Sequence, residues 1–131
     1  MGTFTTFEEL DVYKKSVLFR SEISRISKTL PKEETYRLKD QMLRASRSIS
    51  ANIAEGFGRH HHQENSQFCR QARGSLAEML DHIGCARDEK YLTEAMYLEL
   101  RTSLEEVWKV LNGYIAYLQK CAKSGVPGRS C

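Results

Sequence analysis

Apolar residues recur every three or four positions along most of this chain, the period of helices that bury one stripe. In the first such stretch, Val12, Ser16, Phe19, Ile23, Ile26 and Leu30 fall within roughly 40° of one line at 100° per residue. Thr6 as N-cap, with Glu9 three residues on, predicts a capping box at its start. Pro31 ends it, because proline disfavours helical geometry in the residue before it. A second helix is expected from about Tyr36 to Glu55, with Leu38, Met42, Ala45, Ile49, Asn52 and Gly56 as its seam. A third runs from about His62 to Asp88 and turns Phe68, Ala72, Ser75, Met79, Ile83 and Ala86 inward. The fourth follows Thr93, a suitable N-cap, and has the cleanest repeat: Tyr97, Leu100, Leu104, Val107, Leu111, Tyr114 and Leu118. Trp108 and Ile115 widen that stripe. Gly113, inside it, costs about 1 kcal/mol against alanine and is expected to mark a close contact.

Four helices with short connections predict an all-α, up-down-up-down antiparallel four-helix bundle. Its expected core includes Phe19, Ile23, Ile49, Met79, Leu104, Trp108 and Leu111. The bundle is expected to fill residues 1–123, with a disordered tail over 124–131. Leu10, Tyr13, Val17, Leu43, Val110 and Tyr117 lie outside the four seams, a surplus that suits a cyclic homo-oligomer.

The stretch Ser48-Ile-Ser-Ala-Asn-Ile-Ala-Glu-Gly-Phe-Gly-Arg59 reads as the end of the second helix and its reversal. Gly56 and Gly58 are expected to supply positive φ there, and Ala51, Ala54 and Gly56 to let a neighbouring helix approach. Asn52 sits among apolar residues and needs hydrogen-bond partners. With Glu55, Ser75 and Glu78 it is expected to form a structural polar network joining helices.

Charge is uneven although the net value is only +3. Residues 36–73 carry seven Arg or Lys against three acids, whereas residues 74–111 carry eight acids against four bases. Such polarity suits an anionic partner on one surface. The expected nucleic-acid surface is built from Arg44, Arg47, Arg59, His60, His61, His62, Arg70 and Arg73. The histidines gain charge as pH falls through about 6.5, the ordinary imidazole value.

Other chemistry is excluded on spacing. Three consecutive histidines point about 100° apart on a helix and cannot converge on one metal ion. A di-iron bundle needs Glu-x-x-His on two helices, and here Glu78 precedes His82 by four. Ser48, Ser50 and Ser75 lie within helices with no base marked beside them. No phosphate-cradling glycine loop is present, so no catalytic residue, metal or cofactor is expected. Cys69, Cys85, Cys121 and Cys131 include no close pair, and all are expected to be reduced. No apolar run approaches the roughly 20 residues of a membrane span, and Met1 to Thr6 lack the pattern of a signal peptide. A cytoplasmic location is the expectation.

Phe7-Glu-Glu-Leu-Asp-Val-Tyr13, Leu30-Pro-Lys-Glu-Glu34, Ala51-Asn-Ile-Ala-Glu-Gly-Phe-Gly-Arg59, Phe68, Gly74-Ser-Leu76 with Glu78, and Leu111-Asn-Gly113 together carry a resemblance. The chain resembles the bacterial four helix bundle proteins, encoded within intervening sequences of large-subunit ribosomal RNA genes. It departs from their pattern at Ser50, where proline is usual, at Arg37 in place of glycine, and at Asn65 in place of phenylalanine. His60 to His62 stand where a serine-bearing segment usually caps the third helix. The resemblance implies a ring-shaped homopentamer without enzymatic activity that binds RNA or DNA. A more distant similarity, to the accessory protein of diversity-generating retroelements, implies the alternative: a protein-binding scaffold whose partner is a reverse transcriptase.

Overall fold

The computed structural model describes residues 6–124. Helices account for 86% of these residues and none lies in a strand, which bears out the all-α expectation. α1 spans Asp11–Ser27, α2 Leu38–Gly58, α3 His62–Asp88 and α4 Glu94–Ser124. Each packs on its neighbours in chain order and α4 closes back onto α1. Gly56 lies against Asn65 while Ser48 bonds Ser75, so α2 and α3 run in opposite directions.

The core lies along the bundle axis. Phe19, Ile23, Ile49, Met79 and Leu111 are sealed from solvent, and Leu104 almost so. Trp108 is only partly buried, on the flank of the stripe formed by Leu104, Val107 and Leu111. Asn52, Phe68 and Ser75 are likewise half-buried at helix flanks, whereas Ile53, Cys69 and Leu76 take the inner positions. Buried serines are satisfied locally: Ser16, Ser27 and Ser46 donate to carbonyls three residues back. Ser50 does the same and also accepts Arg20 Nη1 at 2.7 Å, which links α1 to α2. Leu10, Tyr13, Val17, Leu43 and Val110 are half-buried, and Tyr117 is exposed.

Several boundaries differ from the expectation. Thr6 does not cap α1. Its hydroxyl accepts the Glu8 N–H at 3.2 Å and starts a separate 3-10 turn, Phe7–Glu9. Leu10 then sits extended before Asp11 opens α1. α2 starts at Leu38 rather than Tyr36, because Pro31 leads into a 3-10 turn at Lys32–Glu34 and Arg37 is not helical. α2 also continues through both glycines to Gly58. The positive φ of the reversal belongs to His60, at 56°. α3 matches the expected span, and Thr93 caps α4 by accepting the Met96 N–H at 3.1 Å. A Cβ at Gly113 would meet nothing within 4 Å, so no close contact explains that glycine.

Cys69 is a buried free thiol and Cys85 an exposed one. Cys121 is disulfide-bonded, which corrects the expectation that it is reduced. Cys131 and the expected tail beyond Ser124 lie outside the described residues. No helix of the described residues is long and apolar enough to cross a membrane.

Candidate nucleic-acid interface

The turn joining α2 to α3 is short because α2 is helical up to Gly58. Arg59 N–H still reaches Gly56 O at 3.2 Å, and His60 N–H reaches Phe57 O at 3.3 Å. His60 then turns left-handed and His61 extends as N-cap without a side-chain capping bond. His60 and His61 are exposed. His62, the first residue of α3, is only 7% exposed, which removes it from the expected surface. Helix entry at this residue turns its ring under the bundle end.

The arginines divide into engaged and unengaged groups. Arg59 pairs with Glu55 at 2.8 Å and with Glu64 at 3.9 Å, and its guanidinium lies 5.0 Å from the Phe68 ring centroid. Arg44 pairs with Asp40 at 3.1 Å. Arg73 is half-buried and donates to Asn112 Oδ1 of α4 at 2.7 Å. Arg47 and Arg70 are exposed and have no carboxylate partner among the described residues. The eight expected residues therefore do not form one surface. Arg44 and Arg47 lie on α2, Arg59 at the turn, and Arg70 and Arg73 on the side of α3 that meets α4.

The polar network is smaller than expected. Asn52 Nδ2 donates to Ser48 O at 2.9 Å and to Ser48 Oγ at 3.0 Å, while Ser75 Oγ donates to Ser48 Oγ at 3.0 Å. These three side chains join α2 to α3. Glu55 instead faces Arg59, and Glu78 contacts His82 Nε2 at 2.8 Å on its own helix. Gly74 is exposed, with nothing within 4 Å of a Cβ there.

A concavity that carries positive charge lies between the start of α3 and the end of α4. Gln63, Ser66, Gln67 and Arg70 form one wall, and Gln119, Ala122 and Lys123 the other, around about 470 Å³. No carboxylate lines it. Both walls follow helical spacing: Gln63, Gln67 and Arg70 are four and three apart, and Gln119 and Lys123 four apart. That polar periodicity is visible in the sequence, but only the packing of α3 on α4 brings the two rows together. Among the described residues no cluster of His, Cys, Asp or Glu is arranged to hold a metal ion.

The model of a family described as 23S rRNA-intervening sequence protein matches residues 8–113. Among solved structures, the chain is similar to a protein of unknown function from the S23 ribosomal protein family of Bacteroides thetaiotaomicron. The two are 24% identical with a TM-score of 0.75, over 80% of this chain and 95% of that one, a likeness of fold. No curated protein matches the chain in sequence.

Proposed function

The chain belongs to the 23S rRNA-intervening sequence protein family, and on that premise we propose that it is a non-catalytic RNA-binding bundle whose contacts centre on the α3–α4 groove. One observation carries this reading: Arg70 and Lys123 share a concavity with three primary amides and no carboxylate. Cations offered without a neighbouring anion release counterions when they meet phosphates, and this dominates nucleic-acid affinity. Gln63, Gln67 and Gln119 add donors and acceptors for phosphate, sugar or base edges. Arg59 and Arg44, already paired with carboxylates, contribute less.

Binding is backbone-directed, weakly sequence-specific and steeply weakened by salt. The test is a retardation titration of single-stranded RNA at several salt concentrations, comparing wild type with an Arg70→Ala, Lys123→Ala double variant. The variant is expected to bind weakly, with a log–log salt slope shallower by about 1.4 per protomer, two contacts on a single strand. Equal affinity and slope in a variant that stays folded would overturn the groove as the site.

A cyclic homo-oligomer, five-fold by family resemblance, would repeat the groove around an axis and add avidity. Leu18 at 71% exposure and Leu98 at 52% are apolar surface that subunit contacts would cover. Sedimentation as a monomer at micromolar concentration rules the ring out. The same exposed residues, with Tyr36 at 92%, favour a second reading, a protein-binding scaffold. Co-purification of a reverse transcriptase, with no retarded RNA, would select it.

A further inference from the structure

His62 is the first residue of α3, directly after the N-cap His61. It is 7% exposed, and its Nε2 is buried with no hydrogen-bond partner. Among the described residues it is the only buried side-chain nitrogen or oxygen so placed. An orphaned polar atom in the interior costs stability until something pairs with it.

The ring lines a small cavity at the end of the bundle, about 140 Å³. Phe57, Tyr114 and Tyr117 supply aromatic wall, with Leu10 and Leu118 completing the apolar part. Tyr114 and Tyr117 stack at 6.3 Å between centroids. Asn65 is the other polar residue of the wall, and its amide is engaged: Nδ2 donates to Tyr114 Oη at 3.1 Å, and Oδ1 accepts from Cys69 Sγ at 3.5 Å. None of these residues lines the α3–α4 groove, so the cavity is separate from the proposed RNA site.

Size and polarity select an occupant. A cavity of roughly 150 Å³ lined by apolar side chains admits one benzene ring, and this one is nearly that large. A water molecule needs two to four hydrogen bonds, and His62 Nε2 is the one buried polar atom of this wall left without a partner. We propose that the cavity binds a single aromatic ring bearing one O–H or N–H donor, phenol being the simplest, with the donor on His62 Nε2. Such binding requires the neutral tautomer with its proton on the other ring nitrogen, in which Nε2 presents a lone pair. Nε2 is itself shielded, so binding requires the ring to rotate about χ2, a soft torsion, to present that lone pair to the ligand.

Phenol and benzene differ by the hydroxyl and are the probes. Titration of protein labelled with nitrogen-15 in histidine reads both affinity and the state of His62 Nε2. Phenol is expected to shift the His62 Nε2 resonance and to bind about three- to tenfold more tightly than benzene, the worth of one net hydrogen bond. A His62→Phe variant keeps the ring, removes the acceptor and abolishes that preference while benzene still binds. If that variant fails to fold, the wild-type Nε2 shift alone decides. Equal binding of the two compounds, or a shift with neither, overturns the proposal.

Discussion

Gly56 of α2 and Asn65 of α3 are packed so closely that a Cβ on the glycine would lie 2.7 Å from Asn65 Oδ1. It would also lie 2.9 Å from Phe68 Cβ and 3.1 Å from the Asn65 carbonyl oxygen. The amide can rotate away only by giving up its bonds to Tyr114 and Cys69. Phe68 Cβ and the carbonyl cannot move unless the helices part. Gly56→Ala gains up to about 1 kcal/mol of helix propensity, but overpacking costs about 1–3 kcal/mol. The variant is expected to be less stable by about 1–2 kcal/mol, read as a lower urea midpoint.

Gly113→Ala is the matched control. It lies inside α4, exposed, with nothing within 4 Å of a Cβ. With no clash, the substitution should stabilise by about 0.4–1 kcal/mol through the unfolded chain. A loss of stability would mean that Gly113 contacts another subunit.

These two glycines show how far the pattern of residues reaches. Small residues near Gly56 pointed to close helix approach, and that is what the glycine does. Gly113 looked the same in sequence because nothing local reports the distance to a neighbour. The spans of α3 and α4 followed from their periodicity. The start of α2 did not, since the 3-10 turn before it is tied down by Tyr91, 57 residues from Glu34. Likewise Arg70 and Arg73, three apart, read as one outward face. Their difference depends on where Asn112 of α4 lies, which is tertiary information. His62 reads in sequence like its two exposed neighbours, yet as the first residue of α3 it is buried.

The two free thiols should differ in reactivity. Burial pushes the Cys69 thiol up to about 12. Desolvation, then the charges of Asp81, Asp88 and Glu89, also raise the exposed Cys85. Thiolate is the reactive form, so both react slowly near neutral pH and Cys85 reacts first. Mass spectrometry after iodoacetamide treatment of the native protein should find Cys85 modified and Cys69 intact. Denaturant should make Cys69 reactive, and modification of Cys69 in the folded protein would contradict its burial.

Tyr91 sets an alkaline limit. Its hydroxyl donates to Glu34 Oε2 at 2.8 Å, holding the turn before α2 against the turn before α4. That hydrogen bond, then desolvation and the charge of Glu34, raise the phenol from 10.0 to about 12. A pKa higher in the folded state means that folding favours the protonated phenol. The stabilisation is complete below 10.0 and is lost as pH rises towards about 12. Tyr91→Phe removes it, so the stability gap between wild type and variant should be constant below that window and close across it. Denaturant titrations at stepped pH test this, and a gap that widens with pH would refute it.

Arg70 and Arg73 should separate binding from stability. Arg73 Nη1 bonds Asn112 across the α3–α4 contact, half-buried. Arg70, one turn earlier, is exposed in the groove with Lys123. Arg73→Ala deletes an interhelical hydrogen bond and should cost about 1 kcal/mol of stability. Its effect on RNA affinity should be small, because the guanidinium is already held by Asn112. Arg70→Ala should leave the urea midpoint within about 0.5 kcal/mol of wild type, as exposed substitutions do, and should weaken RNA binding. Two assays on two single variants therefore give opposite rankings. The same ranking in both would mean that positive charge on α3 acts as a whole, and that the division drawn by Asn112 has no functional consequence.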